Sequence, residues 1–189
     1  MDIRLYGAPD LHKKAESIPK ITHDIKLLSQ DMFEIMRNNS GIGLAGPQIG
    51  INKKIVAINF DAKNYDMSEI PTPGEALLIP QMPLTLINPE IISFSDTLVS
   101  VEEGCLSVPD IYASVVRSSS IELRATLLNG EFVNLECGGW LAIVLQHEID
   151  HLNGIVFIDR LTKSEFVKIK SKLNKLKKKI AKKGYLIKK

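Results

Sequence analysis

The clearest structural signal in this sequence is HEIDHLNGIVF, residues 147–157. His147 and His151 stand four positions apart, so on an α-helix both imidazoles project from one face and can bind a single metal ion. Glu148 lies beside them, where its carboxylate can take a proton from water at that metal without binding the metal itself. The stretch therefore predicts a metal-binding helix, in preference to a core helix that merely exposes a His-Glu pair.

The pattern leaves the third protein ligand open. A catalytic metal site of this kind has three protein ligands and one free position. The longer pattern H-E-x-x-H-x-x-G-x-x-H of one group of metallopeptidases ends in a third histidine, but this chain has Phe157 there. A lone cysteine is more often a small buried hydrophobic residue, which suits Cys137, whereas Cys105 stands out because a glycine and a strand-like run precede it. The candidates are His12, His23, Cys105 and Cys137.

The helices have clear boundaries in the sequence. A Gly-Gly pair at 138–139 would open the histidine helix, and an Asn-Gly pair at 153–154 would close it as a C-terminal cap. Residues 21–38 carry apolar side chains at helical spacing and end in Asn-Ser-Gly, which predicts a second, amphipathic helix. The last stretch, 163–189, forms one continuous helical pattern.

Short strands are predicted between these helices. The Asn-Gly pair at 129–130 predicts a hairpin with a type I′ turn. Residues 61–86 hold four prolines and a glycine, which predicts a long irregular excursion. The predicted strands are 54–60, 86–92, 97–103, 121–128 and 131–136.

Composition indicates a globular chain in a reducing compartment. The 189 residues are 44% hydrophobic and 24% charged, which suits one domain with a sizeable core. No apolar run approaches the roughly 18–20 residues of a membrane span. The first residues resemble neither a signal peptide nor a transit sequence. Two cysteines do not make a disulfide framework, so we expect a cytoplasmic protein with free thiols and no membrane partner.

Charge divides the chain sharply. Residues 1–162 hold 12 Lys and Arg against 21 Asp and Glu, whereas residues 163–189 hold 12 lysines against one acidic residue. Within the basic segment, Phe166, Ile169, Leu173, Leu176 and Ile180 form one apolar stripe. We therefore expect a terminal helix that packs on an acidic body or binds phosphate groups through its lysines.

Three motifs together resemble the peptide deformylase family. They are GIGLAGPQIG (41–50), EGCLS (103–107) and QHEIDH (146–151), in the order and approximate spacing of that family's signature motifs. The resemblance implies an α+β fold in which antiparallel β-sheets surround a central metal-binding H-E-x-x-H helix. Residues 1–162 would be the catalytic domain, and residues 163–189 a basic amphipathic C-terminal helix that extends it.

The same resemblance implies the reaction and the roles of the residues. The reaction is metal-dependent hydrolysis of the N-formyl group of N-formylmethionyl termini of newly made polypeptides, which releases formate. Glu148 would be the general base, and the Gln48 amide and the Leu106 backbone N–H would bind the developing oxyanion. The implied metal ligands are Cys105, His147 and His151. The implied substrate-binding residues are Ile42, Gly43, Leu44, Gly104, Ile143 and Val144.

The resemblance also implies one divalent metal ion, usually Fe(II), with Zn, Ni or Co as substitutes. A thiolate with two imidazoles suits such borderline-soft metals better than Mg or Ca. The sequence literally matches G-x-G-x-x-G at residues 41–46, but a helix precedes the match and Pro47 follows it, so we expect no nucleotide cofactor.

Several residues depart from the family pattern or support the site. Gly46 stands where the family usually has alanine, and Val116 replaces a proline that would stiffen a turn. Trp140, at the start of the metal helix, is unusual and has no evident role in the sequence. Asp150 and Arg117 are candidates for an ion pair that supports the site.

Three further hypotheses concern partners and alternatives. Deformylases can dock on the ribosome through a C-terminal helix, so residues 163–189 are a candidate for contact with ribosomal RNA. One alternative is an H-E-x-x-H metallopeptidase, which predicts a third ligand other than Cys105. The other is a catalytically altered, ribosome-binding relative, which the intact Cys105, Gln48 and Glu148 argue against.

Overall fold

The chain folds as an α+β protein with four α-helices and three antiparallel sheets among the residues that the structure describes. This structure is a computed structural model that describes residues 1–65 and 71–187. The helices are α1 (His23–Asn38), α2 (Pro73–Leu78), α3 (Gly139–Leu152) and α4 (Lys163–Lys183). The strands are β1 (Ile3–Arg4), β2 (Gly43–Ala45), β3 (Ile55–Ile58), β4 (Leu84–Phe94), β5 (Leu98–Cys105), β6 (Val108–Ser118), β7 (Ser120–Leu127), β8 (Phe132–Gly138) and β9 (Leu186–Ile187).

The central sheet has five strands in the order β2-β3-β4-β7-β8, and every neighbouring pair is antiparallel. Strands β5 and β6 form a separate long hairpin, and β1 pairs with β9. Helix α3 contacts the central sheet on β2, β3, β4, β7 and β8 and the hairpin on β6. The histidine helix therefore lies between the central sheet and the hairpin that carries Cys105.

Helix α3 is buried on nearly all sides, because almost every residue from Leu141 to Leu152 is apolar or lies in the site. It begins after Gly138, as the glycine pair predicts. At its other end Gly154 has φ +76°, its N–H bonds to the His151 carbonyl, and the next N–H bonds to the Asp150 carbonyl. This is a Schellman cap, and it confirms the predicted end of the helix.

The amphipathic helix α1 is confirmed, but it begins two residues later than the apolar spacing suggests. Thr22 has extended backbone angles and its hydroxyl accepts a bond from the Ile25 N–H, so it is the N-cap. The apolar face of α1 buries Met32 and Met36 against β2 and β3.

Two local predictions about the excursion and the hairpin were wrong. Within 61–86 the chain forms the short helix α2, because the hydroxyl of Thr72 and the carboxylate of Glu75 cap its first turn reciprocally. The turn at 129–130 is not type I′, which needs positive φ at both central residues. Gly130 has φ +95°, but Asn129 has no positive φ, and its side-chain oxygen accepts from the Glu131 N–H instead. Residues 66–70 of the predicted excursion lie outside the described residues.

The C-terminal segment is not one continuous helix. Helix α4 ends at Lys183, Gly184 follows with φ +89°, and β9 then pairs with β1 at the opposite end of the chain. Residues 188–189 lie outside the described part. The apolar stripe of α4 packs on β6 and on the segment after α3, with Ile169, Leu173, Leu176 and Ile180 all buried. Within residues 1–65 and 71–187, no helix is both long and apolar enough to cross a membrane.

Candidate metal centre and active site

Three ligand atoms converge between α3 and the hairpin. One potential ligand atom each of Cys105, His147 and His151 lies within 4.8 Å of the others. The Cys105 Sγ lies 3.3 Å from the His151 Nε2. His12, His23 and Cys137 are not part of this cluster. Of the four candidates for a third ligand, the structure therefore brings Cys105 alone to the histidines.

The end of β5 explains why the cysteine faces α3. The β5-β6 register pairs Gly104 with Tyr112 and then shifts, so that Cys105 pairs with Val108 across a tight turn. Such a shift bends the strand and redirects a side chain. Gly104 is needed beside it, because a Cβ there would collide with the ring of Tyr112.

His147 is oriented by a carboxylate. Its Nδ1 lies 2.8 Å from Oε2 of Glu103, so its Nε2 is the atom free to bind a metal. Burial by itself lowers the pKa of His147, but the hydrogen bonds with Cys105 and Glu103 outweigh it and raise the pKa well above its usual value. Metal-binding histidines almost always donate their second N–H to such a partner. Phe157, which occupies the position of the missing third histidine, stacks 6.3 Å from the His147 ring.

The second histidine is held differently. His151 is buried, and its Nδ1 has no hydrogen-bond partner among the described residues. Burial first, and then the charges of His147 and Arg117, lower its pKa well below the usual value. A neutral imidazole is the form that binds a metal. The thiol and the two imidazoles therefore fit a borderline-soft divalent ion, with one histidine braced by a carboxylate.

A buried chain of charges extends from His147 to the surface. Arg117 donates to both oxygens of Glu103, at 2.7 and 3.0 Å, and to Asp150 at 2.6 Å. Arg160 in turn donates to Asp150 from the short helix Phe157–Arg160. Burial alone would raise the pKa of Glu103, but the hydrogen bonds and charges of His147 and Arg117 lower that pKa to about 2. The expected Asp150–Arg117 ion pair is present.

Glu103 and Arg160 were not among the residues predicted from the sequence. Glu103 lies inside the motif EGCLS, two positions before the cysteine, so alternation along a strand could have placed it on the same side as Cys105. No spacing links Arg160 to the site, because it reaches Asp150 only through the turn that follows α3.

Glu148 has the environment of a proton-transfer group. Glu148 is 4% exposed, and its burial raises the pKa of its carboxyl group to about 7. The charges of His147 and Arg117 lower this pKa, whereas the charge of Glu103 raises it. Its Oε2 has no hydrogen-bond partner among the described residues. Gly43 lies directly against the carboxylate, since a Cβ at that position would overlap it. A carboxyl group with a pKa near 7 can both accept and return a proton at neutral pH.

The Gln48 amide is fixed with its N–H₂ group towards Cys105 and Ser107. Its Oε1 accepts from the Ala45 backbone N–H at 2.7 Å, so the opposite end of the amide faces the site. Its Nε2 lies 3.3 Å from Cys105 Sγ and 3.3 Å from Ser107 Oγ. Gln48 is 1% exposed, and this preorganised donor can stabilise an oxyanion without reorganisation.

A cavity of about 460 Å³ opens onto Glu148 and His147. Three aromatic residues without a role predicted from the sequence, Tyr65, Tyr112 and Trp140, also line it. Leu44 is fully buried with Met32 and Met36, so substrate contact by Leu44 stays a prediction. The other predicted residues that line the cavity are Ile42, Gly43, Gln48, Gly104, Cys105, Leu106, Ile143 and Val144.

Comparison with known proteins agrees with the resemblance to peptide deformylases. The family model described as polypeptide deformylase matches residues 1–167. The peptide deformylase of Brachyspira hyodysenteriae is 41% identical over 175 residues, which is 93% of this chain and 88% of the relative. That of Prochlorococcus marinus is 40% identical over 172 residues, covering 91% of this chain and 78% of the relative.

A solved structure agrees with the sequence relatives. The crystal structure of peptide deformylase from Ehrlichia chaffeensis has a TM-score of 0.79 and 37% identity, and the alignment covers 94% of each chain. Because the family model covers most of the chain and these relatives exceed 30% identity over most of their length, the chain belongs to the peptide deformylase family.

Proposed function

We propose that Cys105, His147 and His151 hold the metal ion with which this chain performs the deformylase reaction, the removal of formyl groups from formylmethionyl nascent peptides. The observation that carries the assignment is the convergence of the three ligand atoms within 4.8 Å, with Glu148 beside them. An H-E-x-x-H peptidase would need a different third ligand, but Cys105 already lies in the position of the third ligand.

The donor set limits the metal. One thiolate and two imidazoles suit Fe(II), Zn, Ni or Co but do not select among them. We propose Fe(II) as the native ion because it is the usual metal of the peptide deformylase family. A divalent ion held there supplies Lewis-acid polarisation of the formyl oxygen and lowers the pKa of the water that attacks. Glu103 supports this set, because its carboxylate keeps the second ring nitrogen of His147 protonated and the ring in place.

Glu148 moves the proton. Its pKa of about 7 lets the carboxylate accept a proton from the attacking water near neutral pH. The same group then returns the proton to the amine that leaves, so that formate and a free N-terminus result. Gly43 permits this position, because any side chain there would displace the carboxylate.

Gln48 and Leu106 would bind the negative charge that develops on the formyl oxygen. The Gln48 Nε2 already points to the cysteine end of the cavity, and the Ala45 N–H prevents the amide from flipping. Leu106 follows Cys105 directly and lines the cavity, so its backbone N–H is the proposed second donor. Loss of one such donor costs about 3 kcal/mol of transition-state stabilisation.

The first side chain of the substrate would enter the apolar part of the cavity. Ile143 and Val144 project from α3 one turn before His147, and Ile42 and Gly43 face them from the edge of the central sheet. Apolar walls close to a few fixed polar groups are typical of a site that selects a hydrophobic side chain such as methionine.

Formate release with measured metal content tests this proposal. Protein purified without oxygen is assayed with formyl-Met-Ala beside the variants Glu148→Ala and Cys105→Ala. Glu148→Ala should keep the metal and lose activity by about 10²-fold or more, because it removes the proton carrier. Cys105→Ala should lose the metal. Wild-type inactivity at full metal occupancy, or undiminished metal in Cys105→Ala, would contradict the proposal.

We further propose that residues 163–189 extend the catalytic domain of residues 1–162 and contact ribosomal RNA in the cytoplasm, where nascent chains are made. The apolar stripe of α4 packs against the body, and four lysines elsewhere on the helix, Lys170, Lys172, Lys175 and Lys179, are exposed. A row of lysines on a rigid helix suits a phosphate backbone.

Charge reversal tests the ribosome contact without disturbing the core. The triple variant Lys172→Glu, Lys175→Glu, Lys179→Glu should lose cosedimentation with ribosomes at low salt and keep formate release from a short peptide. The matched control reverses three exposed lysines elsewhere, Lys14, Lys20 and Lys26. Equal cosedimentation of the two variants would count against this surface.

A further inference from the structure

A second cavity lies beside the catalytic one, between the first residues of the chain and α1. Its volume of about 440 Å³ is close to that of the catalytic cavity. Ile3 of β1 and Asn39, the residue that follows α1, line both cavities. These two residues therefore form a shared border between the catalytic cavity and the second cavity.

A short run of chain connects the shared border with the catalytic groups. All five residues from 39 to 43 line the catalytic cavity, and Gly43 at the end of this run lies directly against the Glu148 carboxylate. The four Cα steps from Asn39 to Gly43 span at most about 14 Å, which an extended polypeptide covers in about four residues. A substrate held at Glu148 by its formylated first residue would therefore reach the second cavity at about its fifth residue.

The shared border suits the backbone of a polypeptide. The Asn39 Nδ2 donates to the Ile35 carbonyl at 2.7 Å, which fixes the amide and leaves Oδ1 as an acceptor for a peptide N–H. Ile3 is buried and offers an apolar surface beside that acceptor. A backbone acceptor next to an apolar contact can bind chains of many sequences, as a path for newly made polypeptides must.

The second cavity is acidic. Asp2, Asp31 and Glu34 line it, and no lysine, arginine or histidine is among its described lining residues. Asp31, Glu34 and Asn38 lie at i, i+3 and i+7 on one face of α1. The three carboxylates form no ion pair within residues 1–65 and 71–187. Such a lining repels phosphate groups and attracts lysine and arginine side chains, so it favours a basic polypeptide over a nucleic acid.

We infer that the second cavity binds the substrate polypeptide at about its fifth to seventh residues and prefers lysine or arginine there. The inference rests on the proposed function, because it requires the formylated first residue to lie in the catalytic cavity. It assigns a role to residues 1–3 and to the face of α1 that carries Asp31 and Glu34. Because these residues lie away from the reacting atoms, the preference should act on KM rather than on kcat.

The position of one charged residue in the substrate tests the inference. Metal-loaded wild type is assayed for formate release at low salt with eight-residue peptides of formyl-Met followed by Gly and Ser. Each peptide carries one Lys or one Glu at a chosen position. We expect Lys to exceed Glu by about three- to tenfold in kcat/KM at the fifth to seventh positions, mainly through KM. Salt should reduce this preference, because it screens the carboxylates.

Removal of the acidic charges gives the matched test. The double variant Asp31→Asn, Glu34→Gln keeps the side-chain shapes, so we expect it to lose most of the Lys preference at the fifth to seventh positions. Its rate with formyl-Met-Ala should equal that of wild type, because a dipeptide does not reach the second cavity. The control Glu131→Gln, Glu136→Gln changes the net charge equally at exposed positions outside both cavities and should keep the preference.

Three results would overturn the inference while leaving the proposed function intact. They are no Lys preference at the fifth to seventh positions in wild type, an unchanged preference in Asp31→Asn, Glu34→Gln, and an equal loss in the control. The last result would show that net charge, and not the second cavity, causes the preference. Absence of formate release from formyl-Met-Ala by the metal-loaded wild type would instead overturn the proposed function, and the inference with it.

Discussion

The Nδ1 atom of His147 lies 2.8 Å from Oε2 of Glu103, and that carboxylate is in turn held by two bonds from Arg117. The proposed metal ligand is thus oriented by a group two residues before Cys105 on the neighbouring strand. One short segment of β5 therefore supplies a proposed metal ligand, Cys105, and the carboxylate of Glu103, which orients the proposed ligand His147. Helix α3 and the hairpin must therefore keep a fixed spacing for the site to exist.

Removing the charge of Glu103 should weaken metal binding. Glu103→Gln keeps the shape but loses the charge-assisted bond to His147, so we expect metal affinity to fall by about 10- to 100-fold. Competition with a chromophoric chelator measures it. Glu102→Gln, on the exposed side of the same strand, is the control and should bind metal like wild type. An affinity for Glu103→Gln equal to the control would show that the bond does not tune the site.

Breaking the buried ion pairs should destabilise the fold. Arg117→Met deletes three buried charge-assisted hydrogen bonds and leaves His147 as the remaining partner of Glu103 and Arg160 as that of Asp150, which should lower the free energy of unfolding by about 3–5 kcal/mol. Urea unfolding of the metal-free proteins measures the loss. The control is Arg124→Met, whose side chain is 48% exposed and pairs with Glu90, and it should cost less than about 1 kcal/mol. Similar losses in the two variants would mean that the buried network contributes no more than a surface pair.

A methyl group at Gly43 should disable the base without removing the metal. The added Cβ would displace the Glu148 carboxylate, and misplacement by about 1 Å can cost roughly 10²-fold in rate. We expect Gly43→Ala to lose kcat by about that factor with full metal occupancy. Gly130→Ala, in an exposed turn with positive φ, is the control and should cost stability but not rate. Undiminished kcat in Gly43→Ala would contradict the proposed position of the base.

The two cysteines should differ in alkylation. Burial, with the charges of Glu75 and Glu136, raises the pKa of Cys137 to about 12, so at pH 8 its thiol is protonated and unreactive. Cys105 is partly exposed in the cavity. Iodoacetamide at pH 8 should label Cys105 alone in metal-free protein, and bound metal should protect it. Mass spectrometry of the peptides measures the sites, and label on Cys137 in folded protein would contradict this assignment.

Local signals in the sequence account for much of the fold and for the helix that carries the two proposed histidine ligands. The helical spacing of His147 and His151, and the glycines that bound α3, are short-range features, and the structure places them as predicted. The turn at Asn129 was mispredicted because its side chain bonds locally and stabilises another turn. The end of α4 was missed because Gly184 interrupts a pattern that lysines otherwise continue.

Long-range contacts account for what the sequence did not reveal. Glu103 reaches His147 across 44 positions, and Tyr65 meets Trp140 from a segment that reads as irregular. Neither pairing has a characteristic spacing, because each depends on how the hairpin and the central sheet pack around α3. The roles proposed for Cys105 and Gln48 come from the family resemblance, and the fold brings the two side chains together.

X-ray absorption at the zinc edge of zinc-loaded protein gives a direct test of the proposed Cys105, His147 and His151 ligand set, because it distinguishes sulfur from nitrogen ligands. We expect one sulfur at about 2.3 Å from the zinc and two imidazole nitrogens at about 2.0–2.1 Å, and we expect the sulfur to be lost in Cys105→Ser. A spectrum without sulfur in wild type, or one that is unchanged in Cys105→Ser, would contradict it.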